Sequence, residues 1–137
     1  MGQKVNPKSY RLNLRADWQS RWFSTKKYQD FLYEDYQIRQ IISQKLPLGT
    51  VAKIEIERSA GEISVNVHTA KPGIVIGRSG KGTQLLMEAI SKKIPRKINL
   101  NIIEVAKPAL SAKILGENIA YQIQKRVAYK RAIKQAI

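Results

Sequence analysis

The chain contains no cysteine and a single histidine, His68. The first absence excludes a disulfide framework and every cysteine-based zinc site; the second leaves no histidine pair from which to build a metal centre. Acidic residues are scarce too: ten Asp and Glu stand against 25 Lys and Arg, a formal net charge of +15 in 137 residues. Few carboxylates leave few candidates for acid–base catalysis. A basic excess of that size calls for a polyanionic partner, nucleic acid first and an anionic membrane surface second. No apolar run approaches the ~20 residues of a membrane span, and the opening MGQKVNPKSYRLNL lacks the apolar centre of a signal peptide. Asn6 stands where a myristoylation signal beginning Met1-Gly2 needs Ser or Thr. The expectation is a soluble, intracellular protein without a membrane partner.

What remains is enough for a folded core. Hydrophobic residues make up 43% of the chain, and its length suits one ordinary domain with a short extension. Residues 1–25 show no clear periodicity, and Pro7 forbids a regular helix around it. Lys4, Lys8, Arg11, Arg15 and Arg21 make this stretch a basic arm, and the interleaved Tyr10, Trp18, Trp22 and Phe23 argue that it docks on something.

Between 26 and 46, Tyr28, Phe31, Leu32, Ile38, Ile41, Ile42 and Leu46 recur at i, i+3, i+4, one face of an amphipathic helix ended by Pro47 and Gly49. Two alternating runs follow: Ile54 and Ile56 oppose Lys53, Glu55 and Glu57, then Ile63, Val65 and Val67 oppose Ser64, Asn66 and His68. Ser59-Ala60-Gly61 joins them as a hairpin. Leu86, Ala89, Ile90 and Ile94 mark a helix that stops before Pro95. Ile98, Leu100 and Ile102 mark a third strand, whose pattern slips at Ile103 toward a bulge or two-sided burial. Beyond Pro108, Leu115, Ile119, Ile123 and Val127 predict one long helix to the end of the chain. A helical crossover between the second and third strands favours a parallel pair. The expected fold is α+β, a small mixed three-stranded sheet with helices on one face.

The most informative stretch is Pro72-Gly73-Ile74-Val75-Ile76-Gly77-Arg78-Ser79-Gly80-Lys81-Gly82. Gly77 and Gly80 let a sugar–phosphate backbone approach the main chain, and the N–H groups opening the next helix favour phosphate oxygens. Arg78 and Lys81 add charge beside them, with Ser79 between. A loop of this kind, with helix-strand-strand before it and helix-strand after it, is what a KH module uses to clamp about four backbone nucleotides of a single strand. An NTPase phosphate loop fails at two positions, because Val75 replaces its first glycine and Gly82 its magnesium-binding Ser or Thr. No other arrangement resembles an active site: Glu55 and Glu57 sit among Lys53 and Arg58 as surface charge balance, and His68 reads as a polar outward residue. Neither a cofactor nor a metal is expected. On the last predicted helix Arg126, Lys130 and Lys134 form a stripe, with Lys125 and Arg131 beside it and no acid nearby, which tilts the face toward phosphate contact.

Three segments together, MGQKVNP, IEIERSAGEISVNVHTAKPGIVIGRSGKG and ENIAYQIQKRVAYKRAIKQAI, resemble the small-subunit ribosomal protein three family of bacteria and organelles, and the similarity runs through all 137 residues. The resemblance implies a type II KH domain at 26–107, preceded by the arm (1–25) and followed by the opening helices of a second α+β domain (108–137). It implies a place in the head of the small ribosomal subunit, in the cytoplasm or an organelle. The partners it implies are small-subunit rRNA, mRNA, and ribosomal proteins ten and fourteen. It further implies that Lys130, Arg131 and Lys134 line the mRNA entry channel and help to unwind mRNA, Lys130 standing where arginine is usual. Family members continue into a complete second domain, so the stripe Leu115, Ile119, Ile123, Val127 is expected to meet either that domain or a neighbouring protein. The competing reading is a free-standing KH regulator of single-stranded RNA, which leaves the aromatic arm and the basic tail unexplained.

Overall fold

The computed structural model describes residues 2–59 and 61–136. In chain order the elements are β1 (Ser20–Arg21), α1 (Tyr28–Lys45), β2 (Val51–Arg58), β3 (Glu62–Thr69), α2 (Pro72–Ile76), α3 (Lys81–Ser91), β4 (Lys97–Glu104), α4 (Ala112–Gln124) and α5 (Tyr129–Ala136). The period-two runs become strands because alternation lets one face of each be buried while the other stays wet. Ile54, Ile56, Ile63, Val65 and Val67 line the buried face, and Ile38, Ile41 and Ile42 of α1, Ile90 of α3 and Ile94 just beyond that helix close over them. The helices needed for that lie on one side of the sheet, as expected for an α+β fold.

The sheet order is β1-β2-β3-β4. β2 and β3 are antiparallel, and β3 and β4 parallel, the second pair being joined by the α2–α3 crossover. Of the expected hairpin joint Ser59-Ala60-Gly61, Ala60 lies outside the described residues; Ser59 N–H donates to Glu62 O at 3.0 Å. The three expected strands are thus present, and the arm adds a fourth. Ser20 and Arg21 pair parallel with Ile56 and Glu57. Arg39 of α1 holds this short strand in place, donating to Gln19 O at 2.9 Å, Ser20 Oγ at 3.0 Å and Ile54 O at 2.7 Å. Burial under the arm pulls the Arg39 guanidinium below its ordinary pKa, with Asp35 opposing.

Three details differ from the sequence-based expectation. β4 carries no bulge: its register with β3 is unbroken from Glu62↔Lys97 to Thr69↔Glu104, and the irregularity lies in β2 between Val51 and Lys53. Nor is Ile103 buried from two sides, being 39% exposed on the open face. The long C-terminal helix is two helices. Arg126 takes a left-handed φ of 63° and closes α4: its N–H donates to Ile123 O at 2.9 Å and that of Val127 to Gln122 O at 3.1 Å. This is the paired capping bond of a Schellman turn, built here on arginine instead of glycine.

On the open face of the sheet polar residues satisfy one another. Asn101 donates to Asn66 Oδ1 at 3.0 Å and Asn99 to Glu62 Oε2 at 2.9 Å, while His68 Nε2 lies 3.1 Å from Glu55 Oε2. The Lys53 ammonium, bonded to Glu55, holds that carboxyl below the usual carboxylate range, with His68 adding to the effect. Lys53 and His68 thus balance Glu55, whereas Arg58, expected to share that surface role, is buried against Asp35 and Glu34, and Glu57 pairs with Arg21 instead. Among the described residues no cluster of His, Asp and Glu could hold a metal ion, and no helix is long and apolar enough to cross a membrane.

Candidate nucleic-acid interface

The corner between α2 and α3 is formed by backbone geometry that only particular residues supply. α2 is a single turn opening on Pro72, whose fixed φ suits the first helical position. It is closed by Gly77 N–H donating to Gly73 O at 2.9 Å. Gly77 then adopts φ 69°, ψ −179°, a region essentially reserved for glycine. Ser79 and Gly80 follow in left-handed conformations, φ 56° and φ 75°. Thr83 Oγ1 donates to Gly80 O at 2.7 Å and fixes the turn into α3. The two glycines thus serve a purpose beyond making room for a ligand, because they allow the chain to reverse between the helices. Arg78, Ser79 and Lys81 are all exposed, and among the described residues neither cation of this corner meets a carboxylate.

Gly82 has a function that spacing alone does not reveal. A Cβ there would lie 2.4 Å from Val75 O and 2.9 Å from Ile76 O, so α3 starts in direct contact with the backbone of α2. The Ser or Thr of an NTPase loop has no space at this position. Gly82→Ala is expected to destabilise the protein by about 1–3 kcal/mol through overpacking. Thermal denaturation reads this directly, and an unchanged midpoint would mean that the helices part without cost.

The remaining cations divide into free and committed ones. Arg21 is paired with Asp17 and, at 3.2 Å, with Glu57, and Arg11 Nη1 donates to Pro7 O at 2.7 Å. Lys4, Lys8 and Arg15 are exposed. Of the arm's aromatics only Trp22 is docked, and it docks within this chain: its indole N–H donates to Asp35 Oδ2 at 2.8 Å, and its ring packs against Tyr28 and Phe31 at centroid separations of 5.3 and 5.5 Å. Tyr10, Trp18 and Phe23 remain exposed. At the C-terminus Arg126, Lys130, Arg131 and Lys134 are all exposed, but the expected single stripe is broken. Lys130 and Lys134 share a face of α5 at i, i+4, whereas Arg126 lies beyond that helix in the Schellman turn. Ala132 is the buried contact of α5, and Ile114 instead of Ile123 is the buried residue of α4.

A helix, two antiparallel strands, a glycine-flanked corner between two helices and a returning parallel strand make up the type II KH fold. Residues 36–110 match the sequence model described as KH domain, and the chain belongs to that family. It is also similar to ribosomal proteins. It is 46% identical over 136 residues to small ribosomal subunit protein uS3 of Lactobacillus gasseri, covering 99% of this chain and 61% of that protein. The uS3 proteins of Enterococcus faecalis and Bacillus cereus are 45% and 47% identical over 137 residues, covering all of this chain and 63% of each. The resemblance read from VHTAKPGIVIGRSG and KRAIKQAI is thereby borne out, and the chain spans about three fifths of the length of these relatives.

Proposed function

We propose that this chain is a structural, non-enzymatic constituent of the small ribosomal subunit that binds rRNA in the subunit head. The observation that carries the reading is the α2–α3 corner, where two left-handed residues and the start of an α-helix gather backbone N–H groups beside exposed Arg78 and Lys81. Gly77, Arg78, Ser79, Gly80 and Lys81 take the backbone phosphates of a single strand. Lys4, Lys8, Arg11, Arg15 and Arg21 of the arm add rRNA contacts, with Arg21 weakened for that purpose by its two carboxylate partners. Arg126, Lys130, Arg131 and Lys134 face mRNA at the entry channel and help to part its base pairs. Lys130 supplies charge there without the planar fork of an arginine. Residues 1–25 form the arm, 26–107 the KH domain and 108–137 the opening of a second domain. Ribosomal proteins ten and fourteen are the neighbouring proteins, on cytoplasmic or organellar ribosomes.

Sedimentation of a cell lysate through sucrose in high-salt buffer tests this reading. Stable migration with small subunits is the expected result. Migration as free protein would contradict it and favour a free-standing KH regulator.

A further inference from the structure

A second surface adjoins the glycine corner at Gly82 and faces the end of α1. Where α2 and α3 meet the C-terminal end of α1 there is an open cleft of about 480 Å³, and residues 78–81 do not line it. Its floor is aliphatic: Leu46, Ile74, Leu85 and Ala89. Ile74 is 49% exposed and Leu85 64%, an apolar area that the core does not use. Three lysines, Lys45, Lys92 and Lys93, stand at the rim with one carboxylate, Glu88. Among the described residues none of the three meets a carboxylate within ion-pair distance.

Floor and rim make different demands. The lysines ask for an anionic partner, and both nucleic acid and an acidic protein segment would satisfy them. The floor separates the two. Single-stranded nucleic acid binds through aromatic rings or guanidinium planes on which bases stack, together with polar groups that reach base edges. This cleft offers no surface on which a base could stack, since its lining contains no aromatic residue and no arginine, and its polar side chains belong to the three lysines and Glu88. Aliphatic floors accept aliphatic side chains, as in a groove that takes the apolar face of an amphipathic helix. We propose that the α1–α2–α3 cleft is a docking site for an acidic amphipathic protein segment, with aliphatic anchors on Ile74 and Leu85 and carboxylates on Lys45, Lys92 and Lys93.

Fluorescence anisotropy of the full chain tests this with a labelled helical peptide bearing leucines on one face and glutamates on the other. Leu85→Glu and Lys92→Glu are each expected to weaken binding about tenfold. Both positions are exposed, so neither change disturbs the core. Leu110→Glu makes the same charge change as Leu85→Glu at a site 80% exposed outside the cleft, and should leave the affinity unaltered. Equal weakening by Leu85→Glu and Leu110→Glu would overturn the proposal, because the peptide would then be sensing net charge alone. So would displacement of the peptide by oligouridylate together with a tenfold loss of oligouridylate affinity in Leu85→Glu, which would make the cleft a nucleic-acid surface.

Discussion

Replacing Arg78 and Ser79 together by aspartate is expected to reduce affinity for single-stranded RNA by about two orders of magnitude, with no change in fold. A hydrogen bond to a charged group contributes about 1.5–3 kcal/mol, and ~1.4 kcal/mol is a factor of ten, so loss of the Arg78 contact alone accounts for at least tenfold. Two carboxylates placed against a phosphate add repulsion to that loss. The substitution also fits the backbone. Both side chains are exposed, and Ser79 holds φ 56°, ψ 29°, a left-handed conformation that aspartate tolerates better than most residues. Filter binding or anisotropy at fixed salt measures the effect, and circular dichroism checks the fold. Salt must be fixed because affinity for single strands falls with log salt by a slope of ~0.7 per neutralised phosphate. A double variant that binds as tightly as the parent would remove the glycine corner from the site.

The largest effect on stability is expected from Asp35→Ala. Asp35 is 3% exposed and accepts from Trp22 Nε1 at 2.8 Å and from Arg58 Nε at 3.0 Å. Arg58 also reaches Glu34 at 2.5 Å and Phe31 O at 3.1 Å, and its guanidinium lies 4.7 Å from the Phe31 ring centroid. This network joins the arm, α1 and the end of β2, and each of the three guanidinium nitrogens of Arg58 has an acceptor. Removing the carboxylate leaves a buried guanidinium short of its partner, at a cost of about 3–5 kcal/mol. That is a large share of the roughly 5–15 kcal/mol that stabilises a typical domain. Chemical denaturation should show the loss, and Trp22 emission should shift toward the red as the arm is released. Replacing both partners by apolar residues, Asp35→Leu with Arg58→Met, should recover most of the stability. An Asp35→Ala protein as stable as the parent would mean that Trp22 and Arg58 are held by packing alone.

How far the sequence discloses this molecule depends on whether a feature leaves a periodic trace. β2, β3 and α1 do so: alternating isoleucines and valines, or apolar residues at three- and four-residue spacing, have one economical burial. The glycine corner is legible for a different reason, since glycine, proline and charge occur in a fixed order between two helical patterns. β1 leaves no such trace. Two residues have no period, and its place depends on Arg39, nineteen positions further on. The break between α4 and α5 is hidden because the left-handed cap is Arg126, where the usual marker would be glycine. Its effect on the site is direct, as it takes Arg126 off the face shared by Lys130 and Lys134. Asp35 did leave a signal: it lies four positions from Phe31 and three from Ile38, a carboxylate on the apolar stripe of α1, which implies a buried cation. The role of Gly82 could not be read at all, because close approach of two backbones depends on how α2 and α3 pack.

The most direct test of the central claim is a titration of the isotopically labelled chain with oligouridylate, followed through its backbone amide resonances. The largest shifts are expected on the amides of residues 77–82, and they should vanish in the Arg78→Asp, Ser79→Asp variant. Shifts confined to the arm or to α5, with the amides of the α2–α3 corner unmoved at saturation, would contradict it.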